Sequence, residues 1–342
     1  MSTSQKGTIT FARQRMPFRS LVLLLLLTAC GGTPPLAEEP SPQPAGTAEA
    51  PIARPRFAAA YLDMDGTLLG SDHRVRAASI AALTDYQQCG GRYGIATGRT
   101  LEQLRPHLDD IHPNLPLVLF NGALVMDPTA HQVLHSSPLP AQHIAALLTA
   151  LRNDERVRAV FVYFVERTMA YPPSPELESL SSLLGTPIDE VCQTPEACGA
   201  AGDPMKLLVV TTEDQALALS EAFAPNVPEG VRAVVGHPSG LEIIADDVNK
   251  SAAIRGVLAE LGLPLDQVVV FGDSGNDVEM LTDIPVSIAM ERCHPQSCQA
   301  ALLRAGSNDS DTIARILRSL VMGPACVQRD DAGAAHVLPT GG

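Results

Sequence analysis

Two carboxylates stand two residues apart at the end of a short apolar run. The run 58–62 ends on Asp63, and Asp65 follows within "DMDGT". Residues i and i+2 of a strand point to the same face, so both carboxylates project beyond the carboxyl end of the strand, where open α/β sheets bind ligands. Like charges this close repel unless a cation or a shared proton lies between them. The spacing favours a divalent, oxygen-preferring cation such as Mg²⁺; the alternative is a turn with two exposed aspartates.

A second acidic cluster follows another apolar run. The segment "VVVFGDSGNDVEML" places Asp273, Asn276 and Asp277 after a continuous apolar strand. Its "GDSG" also occurs in the nucleophile loop of serine proteases, but a chain of that class would be all-β. Here Asn276 and Asp277 open a helix, so we interpret the segment as an acidic loop at the same edge of the sheet.

A hydroxyl and an amine complete the set of polar groups at this edge. "GIATGRT" places Thr97 and Gly98 after the second strand, and the Thr97 hydroxyl can hold a phosphoryl oxygen. Lys250 lies in the first turn of a predicted helix, where a positive charge opposes the helix dipole, so an anionic partner is expected for it. Lys206, which begins a strand in another region, is the rival for this role; we favour Lys250.

The elements that must position these groups alternate between strands and helices. Candidate strands cover 57–62, 91–97, 115–122 and 266–273, with helical patterns between them. Such alternation predicts an α/β fold with a parallel sheet. Residues 138–238 carry strands and helices of their own and read as a second, smaller domain.

Taken together and in this order, the motifs resemble the haloacid dehalogenase superfamily of phosphotransferases. "DMDGT" matches its first motif, "ATGR" its second, Lys250 its third and "GDSGND" its fourth. The chain is most similar to the Cof-type branch, which "NGA" at 121–123 also fits. The resemblance implies a Rossmann-like core, residues 57–137 and 239–322, with an inserted α/β cap domain at 138–238.

The same resemblance implies the reaction and the role of each residue. Asp63 is the nucleophile, which forms an aspartyl-phosphate, and Asp65 is the general acid and then the base. Mg²⁺ is held by Asp63, the backbone carbonyl of Asp65 and Asp273, while Asp277 organises its waters. The residues expected to bind the substrate are Thr97, Gly98, Asn121 and Lys250, and Asn276 is a further motif residue. The expected activity is Mg²⁺-dependent hydrolysis of a small phosphate monoester.

Two other functions fit the same motifs. The chain could bind a phosphorylated ligand without turnover, although a binder has no need of the acid–base carboxylate Asp65. It could also pass the phosphoryl group to an alcohol and not to water. The sequence does not identify the substrate or the oligomeric state.

The amino terminus is typical of an exported bacterial lipoprotein. Basic residues precede the apolar segment "LVLLLLLTA", which is too short to span a bilayer as a mature helix. It ends in "LTAC" and resembles a lipobox, which implies cleavage after residue 29 and a lipid on Cys30. The alternatives are a plain secretory signal or a wrongly assigned start. Residues 30–56 read as a solvated Pro-rich tether, and residues 323–342 as a C-terminal tail.

The charge balance excludes one class of partner. The 342 residues carry a formal net charge of −14, and residues 1–30 contribute only positive charges to it. Because an acidic surface repels a phosphate backbone, nucleic-acid binding is not expected. The expected membrane contact is the lipid anchor alone.

Six cysteines remain once Cys30 is set aside. Two pairs are close in sequence and lie in polar, Pro-containing loops, so we predict the disulfides Cys192–Cys198 and Cys293–Cys298. A zinc site would need tighter Cys spacing and His partners. Cys89, at a predicted helix end, is interpreted as a buried thiol.

Overall fold

The structure is a computed structural model that describes residues 54–212, 214–324, 326–329 and 335–337. The predicted signal segment, Cys30 and almost all of the predicted tether lie outside these residues. None of the helices in the described part is both long and apolar enough to cross a membrane.

A parallel sheet, here called the core sheet, positions the first and fourth motifs. Within the described residues it has five strands, in the order Leu303–Arg304, Val286–Ala289, Val268–Gly272, Ala59–Leu62 and Arg92–Ile95. All four pairings are parallel. This sheet confirms the predicted α/β class.

Both faces of the core sheet are covered, which explains why its strands are continuous apolar runs. Ala60 and Leu62 pack on the side of the helix Ala77–Gln88. Ala59 and Tyr61 pack on the opposite side with the helix Lys250–Glu260. The helices Leu101–Ile111 and Thr312–Ile316, the latter continuing as a wider turn over Leu317–Met322, pack on the first side. The helices Val278–Asp283 and Pro295–Ala300 pack on the second side.

The predicted strand 115–122 departs from expectation. Only Leu117–Leu119 is extended, and it pairs antiparallel with Leu124–Met126, which in turn pairs with Val133–Ser136. Its link to the core sheet is a single parallel bridge between Ala96 and Val118. The chain turns away at Phe120 and Asn121, which have positive φ values of 49° and 59°, so the run cannot continue as a strand.

A second sheet, here called the insertion sheet, lies between the two halves of the core in the sequence. In the described part of the chain its order is Val231–His237, Gly240–Ala245, Lys206–Thr211, Val157–Tyr163, Thr168–Tyr171 and Glu190–Val191. Its helices are Ala141–Leu151, Leu177–Leu184, Pro195–Gly199 and Ala216–Phe223.

The return to the core differs from the predicted boundary between residues 238 and 239. That boundary cuts the hairpin formed by Val231–His237 and Gly240–Ala245. Since Gly240–Ala245 also pairs with Lys206–Thr211, the insertion sheet extends to Ala245.

Three disulfides join described residues. Cys192–Cys198 and Cys293–Cys298 are as predicted. The interpretation of Cys89 as a buried thiol is wrong, because Cys89 is bonded to Cys326 across a sequence separation of 237. This bond ties the segment after Met322 to the end of the helix Ala77–Gln88. Beyond it, Val327–Arg329 pairs with Ala335–Val337 within the predicted tail.

Candidate active site

Asp63 and Asp273 follow neighbouring strands of the core sheet. Leu62 is in register with Phe271, and the backbone N–H of Asp63 donates to the Phe271 carbonyl at 3.0 Å. Because the two strands are parallel, both carboxylates emerge at the same edge of the sheet. The placement predicted for the two acidic clusters is what the structure has.

Lys250 lies between two of these carboxylates. Its Nζ is 2.6 Å from Asp63 Oδ1 and 2.7 Å from Asp277 Oδ1, and the side chain is 0% exposed. Burial alone would lower the pKa of this amine, but Asp277 and Asp63 raise it above its ordinary value, so Lys250 is charged. These are the anionic partners that the sequence predicted for a lysine at a helix start. Asn249 caps the helix by accepting from the Ala252 N–H at 2.7 Å.

One amine does not balance the charge of the cluster. Asp63, Asp273 and Asp277 each present an oxygen, and these oxygens lie within 4.8 Å of one another. With all three ionised, Lys250 leaves two negative charges uncompensated. Burial, followed by the neighbouring carboxylates, raises the pKa of Asp63 well above its usual range, and similar causes raise that of Asp273 to about 7. Because these donors are carboxylate oxygens and the missing charge is twofold, the residues fit Mg²⁺.

Asp277 is more an organiser of this cluster than an open ligand. Its Oδ2 accepts from the backbone N–H groups of Asp273 and Ser274 at 2.8 and 2.9 Å, while Oδ1 accepts from Lys250. The side chain is fully buried. These bonds hold the 273–277 loop and the Lys250 amine in place, which leaves Asp63 and Asp273 as the carboxylates best able to hold a cation.

The loop after Asp63 is fitted closely to Asp273. Gly66 has a φ of +76°, and a Cβ there would lie 2.4 Å from Asp273 Oδ2. The Thr67 hydroxyl donates to Asp273 Oδ1 at 2.8 Å. Glycine is therefore required at position 66 both by backbone conformation and by space, and Thr67 joins the first motif to the fourth.

The Asp65 side chain does not join the carboxylate cluster that contains Asp63, because it is paired with Arg99. Arg99 donates from Nη2 and Nε to the two oxygens of Asp65, each at 2.7 Å. Partial burial would raise the pKa of Asp65, but the hydrogen bonds and charge of Arg99 lower it below its ordinary value. The Asp65 carboxylate therefore lies outside the cluster of Asp63, Asp273 and Asp277. The expectation that the side chains of Asp63 and Asp65 pair closely around one cation is wrong. The predicted metal contact of Asp65 was its backbone carbonyl, which this arrangement leaves possible.

Thr97, Gly98 and Asn121 meet beside the cluster. The Asn121 N–H donates to the Thr97 carbonyl at 3.0 Å, and a Cβ on Gly98 would lie 2.9 Å from Asn121 Oδ1. Gly122 follows with φ +106°, where a Cβ would lie 2.4 Å from the Asn249 carbonyl. Consecutive positive φ values at Phe120 and Asn121 store strain that surrounding contacts must hold, as is common at functional sites.

A chain of hydrogen bonds joins this corner to the insertion sheet. Asn276 Nδ2 donates to Asn121 Oδ1 at 2.8 Å, and Asn121 Nδ2 donates to Glu242. Glu242 also accepts from Lys206, at 2.5 Å, and Lys206 donates to the Gly98 carbonyl at 2.9 Å. Lys206 is thus not the amine of the carboxylate cluster, although it reaches the same site from the other layer.

A cavity of 620 Å³ opens over the cluster between the core and the insertion sheet. Its core side includes Asp63, Asp65, Thr97, Gly98, Ser274 and Asn276, and its other side is formed by residues of the insertion. Asp63 and Asp65 therefore face the cavity with Thr97 and Asn276, while the Lys250 amine is buried against Asp63. This arrangement is suited to phosphoryl transfer, which depends on positioning and charge neutralisation.

The structure brings together Asp63, Thr97, Gly98, Asn121, Lys250, Asp273, Asn276 and Asp277, with Asp65 at the cavity wall. Two residues of this site were not singled out from the sequence. Arg99 lies within the quoted motif "ATGR" and could have been found as a partner for Asp65. Glu242 carries no local signal, because its role depends on how the insertion packs over the core.

Comparison with known proteins gives a consistent picture. Residues 60–317 match the model of a family described as haloacid dehalogenase-like hydrolase. A Mycoplasma pneumoniae protein with the name "Putative phosphatase" is 26% identical over 278 residues, covering 78% of this chain and 98% of the relative. A Bacillus subtilis protein, "Putative phosphatase YxeH", is 23% identical over 76% of this chain and 97% of its own. The solved structure of the HAD subclass IIB sugar phosphatase BT4131 has a TM-score of 0.66 at 20% identity, covering 76% and 97% of the two chains.

Proposed function

The chain belongs to the haloacid dehalogenase-like hydrolase family, and we propose that it is a Mg²⁺-dependent phosphatase of small phosphate monoesters. The observation that carries this proposal is the buried cluster in which Lys250 contacts Asp63 and Asp277 beside Asp273. The similarity to proteins named as phosphatases supports the activity class.

The first half of the reaction uses Asp63 as the nucleophile. A free Asp63 oxygen attacks phosphorus, the bond to the leaving oxygen breaks, and an aspartyl-phosphate forms. The Lys250 amine and the Thr97 hydroxyl hold the phosphoryl oxygens, and Asn121 contacts the phosphoryl group or the substrate. When bound by Asp63, Asp273 and the backbone carbonyl of Asp65, Mg²⁺ would supply the positive charge that the cluster lacks and shield the nucleophile from the phosphoryl oxygens.

Asp65 carries the proton in both halves of the reaction. Once it leaves Arg99, Asp65 takes up a proton from solvent and gives it to the leaving oxygen, and the resulting carboxylate then deprotonates the water that hydrolyses the aspartyl-phosphate. To reach the leaving oxygen, Asp65 must give up at least one of its hydrogen bonds to Arg99.

The pairing of Asp65 with Arg99 also favours a second candidate, a protein that binds a phosphorylated ligand without turnover. If Asp65 stayed on Arg99, no group would protonate the leaving oxygen. Release of inorganic phosphate from p-nitrophenyl phosphate in the presence of Mg²⁺ separates the two candidates. The phosphatase should release phosphate, and EDTA or Asp63→Asn should abolish the release; a binder would show saturable binding and no release.

Transfer to an alcohol is the other outcome that this assay reveals. Added acceptor alcohols would then give a new phosphate ester at the expense of inorganic phosphate. A hydrolase should give inorganic phosphate as the dominant product in the same mixture.

We further propose that the protein acts outside the cytoplasm, anchored by a lipid on Cys30. The basic and apolar segments before "LTAC" support this location. So do three disulfides, which persist in oxidising compartments. The Cys30→Ala protein should lose both membrane fractionation and labelled fatty acid, and retention of both would contradict the anchor.

A further inference from the structure

The two ends of the active-site cavity have different chemistry. Its core end is lined by carboxylate, hydroxyl and amide groups. The insertion end carries a group of aliphatic side chains, here called the leucine wall: Leu180, Leu183, Leu184, Leu208 and Val210. A ligand that complements this cavity is anionic at one end and apolar at the other.

The leucine wall is held against the core by specific hydrogen bonds. Three of its residues belong to the helix Leu177–Leu184. Gln103 Nε2 donates to the Leu184 carbonyl at 3.1 Å and to the Thr186 hydroxyl at 2.8 Å. Gln103 is itself fixed by a capping box with Thr100, the residue after Arg99. The leucine wall therefore has a defined position relative to Arg99, the partner of Asp65.

Charged groups of the insertion that line the cavity already have partners. Glu242 accepts from both Lys206 and Asn121. Arg158 donates to Glu176 at 3.0 and 2.9 Å. Besides these, the hydroxyl residues at this end are Thr211 and Ser239, and the buried Thr211 hydroxyl has no hydrogen-bond partner among the residues that the structure describes. A leaving group with a hydroxyl on every carbon would bring more polar groups than the Thr211 hydroxyl can pair with and would bury others against the leucine wall, which costs free energy when they find no partner.

We propose that the leaving alcohol of the substrate is predominantly apolar, an alkyl or aryl alcohol and not a sugar. This inference rests on the proposed phosphatase function and adds the substrate class. The ester oxygen would lie near Asp65, and the carbon skeleton would pack on the leucine wall. A cavity of 620 Å³ is in the range that encloses drug-sized ligands, so an alcohol of six carbons has room.

A homologous series of alkyl phosphates tests this directly. Ethyl, butyl and hexyl phosphate have leaving groups of nearly equal basicity, so differences in kcat/KM report binding of the chain. Each fully buried methylene should raise kcat/KM about fourfold, from about 0.8 kcal/mol per methylene. Hexyl phosphate should also exceed glucose 6-phosphate, which has the same number of carbons and is likewise a primary ester.

Two leucine variants locate the effect. Leu183 lies at the cavity rim and is 78% exposed, and Leu217 is 62% exposed on another helix of the insertion, away from the cavity. Leu183→Gln should lower kcat/KM for hexyl phosphate several-fold more than it lowers kcat/KM for ethyl phosphate. The matched control Leu217→Gln should change neither, and both variants should fold because their side chains are exposed.

The possible failures are distinguishable. A flat series, or faster hydrolysis of glucose 6-phosphate than of hexyl phosphate, with p-nitrophenyl phosphate still turned over, would overturn the apolar leaving group and leave the phosphatase intact. An equal effect of Leu183→Gln and Leu217→Gln would overturn the assignment of the wall. No phosphate release from any ester, p-nitrophenyl phosphate included, would overturn the phosphatase proposal and this inference with it.

Discussion

Arg99 donates to both carboxylate oxygens of Asp65, at 2.7 Å each. This fork keeps Asp65 ionised, which suits its role as a base toward water but not its earlier role as an acid. The proposed reaction therefore requires Asp65 to change partners when a substrate enters. The same contact makes Arg99 a group that tunes the second half of the reaction.

The Arg99 contact predicts a shift in the pH profile. Arg99 lowers the pKa of Asp65, so Arg99→Gln should raise it. As the pH falls, the Asp65 carboxylate would then become protonated earlier, at a higher pH. Because the protonated form cannot act as a base, aspartyl-phosphate hydrolysis would also stop at a higher pH. The acid limb of the pH profile of kcat for p-nitrophenyl phosphate should shift to higher pH. Arg105→Gln, which changes an exposed arginine on the helix that follows Arg99, is the control. An unmoved limb in Arg99→Gln would contradict the tuning role.

Removal of the Lys250 amine should destabilise the fold as well as abolish turnover. Lys250→Met leaves Asp63 and Asp277 buried without their shared cation, and breaking a buried ion pair from one side costs about 3–5 kcal/mol. Urea unfolding in EDTA measures the loss. A loss below about 1 kcal/mol would mean that the cluster is not held by this amine.

The hydrogen bonds between the core and the insertion sheet should affect substrate binding. Glu242→Gln keeps the size of the side chain, but Lys206 and Asn121 donate to different oxygens of Glu242, and an amide has only one acceptor oxygen. If the lost hydrogen bond weakens the closure of the insertion over the core by about 1–2 kcal/mol, KM should rise about 5- to 30-fold, with a smaller change in kcat.

The control for this variant is an ion pair that joins the insertion to the core. Arg232 contacts Glu279 at 3.1 Å, but both side chains are about one-third exposed, where ion pairs contribute little. Glu279→Gln should therefore leave KM nearly unchanged. Equal effects of the two variants would show that Glu242 has no special role in closure.

The three disulfides should contribute unequally to stability. In the chain-entropy account the effect grows with loop length. The Cys89–Cys326 separation is 237 residues, against 6 and 5 for the other two. Replacing Cys89 and Cys326 by Ser should cost about 5 kcal/mol, and replacing either short pair about 2 kcal/mol. Denaturant unfolding of the three double variants gives the order, and a short pair that costs more than Cys89–Cys326 would contradict it.

The sequence predicted the parts of the site that depend on local order. Asp63 and Asp273 follow apolar strands, and parallel pairing alone brings strand ends to one edge. The unfavourable position of the Lys250 charge at a helix start predicted an anionic partner, and the structure shows two, Asp63 and Asp277. These features need no knowledge of the packing between layers.

What the sequence did not predict depends on long-range packing. The pairing of Cys89 with Cys326 joins segments 237 residues apart, and nothing near either cysteine indicates its partner. Glu242 reaches Asn121 only because the insertion sheet lies over the core. The turn at Phe120 and Asn121 ended a strand that its apolar pattern would have extended, since tertiary contacts overrode local propensity.

The central claim is that Asp63 is phosphorylated and that Asp65 then activates water. The most direct measurement is the pre-steady-state reaction of Asp65→Asn with p-nitrophenyl phosphate, whose leaving group needs little protonation. We predict a burst of nitrophenolate close to one equivalent per enzyme, then slow turnover, with the phosphoryl group found on Asp63 by mass spectrometry after acid quench. Linear release without a burst, or a phosphoryl group on any residue other than Asp63, would contradict the account.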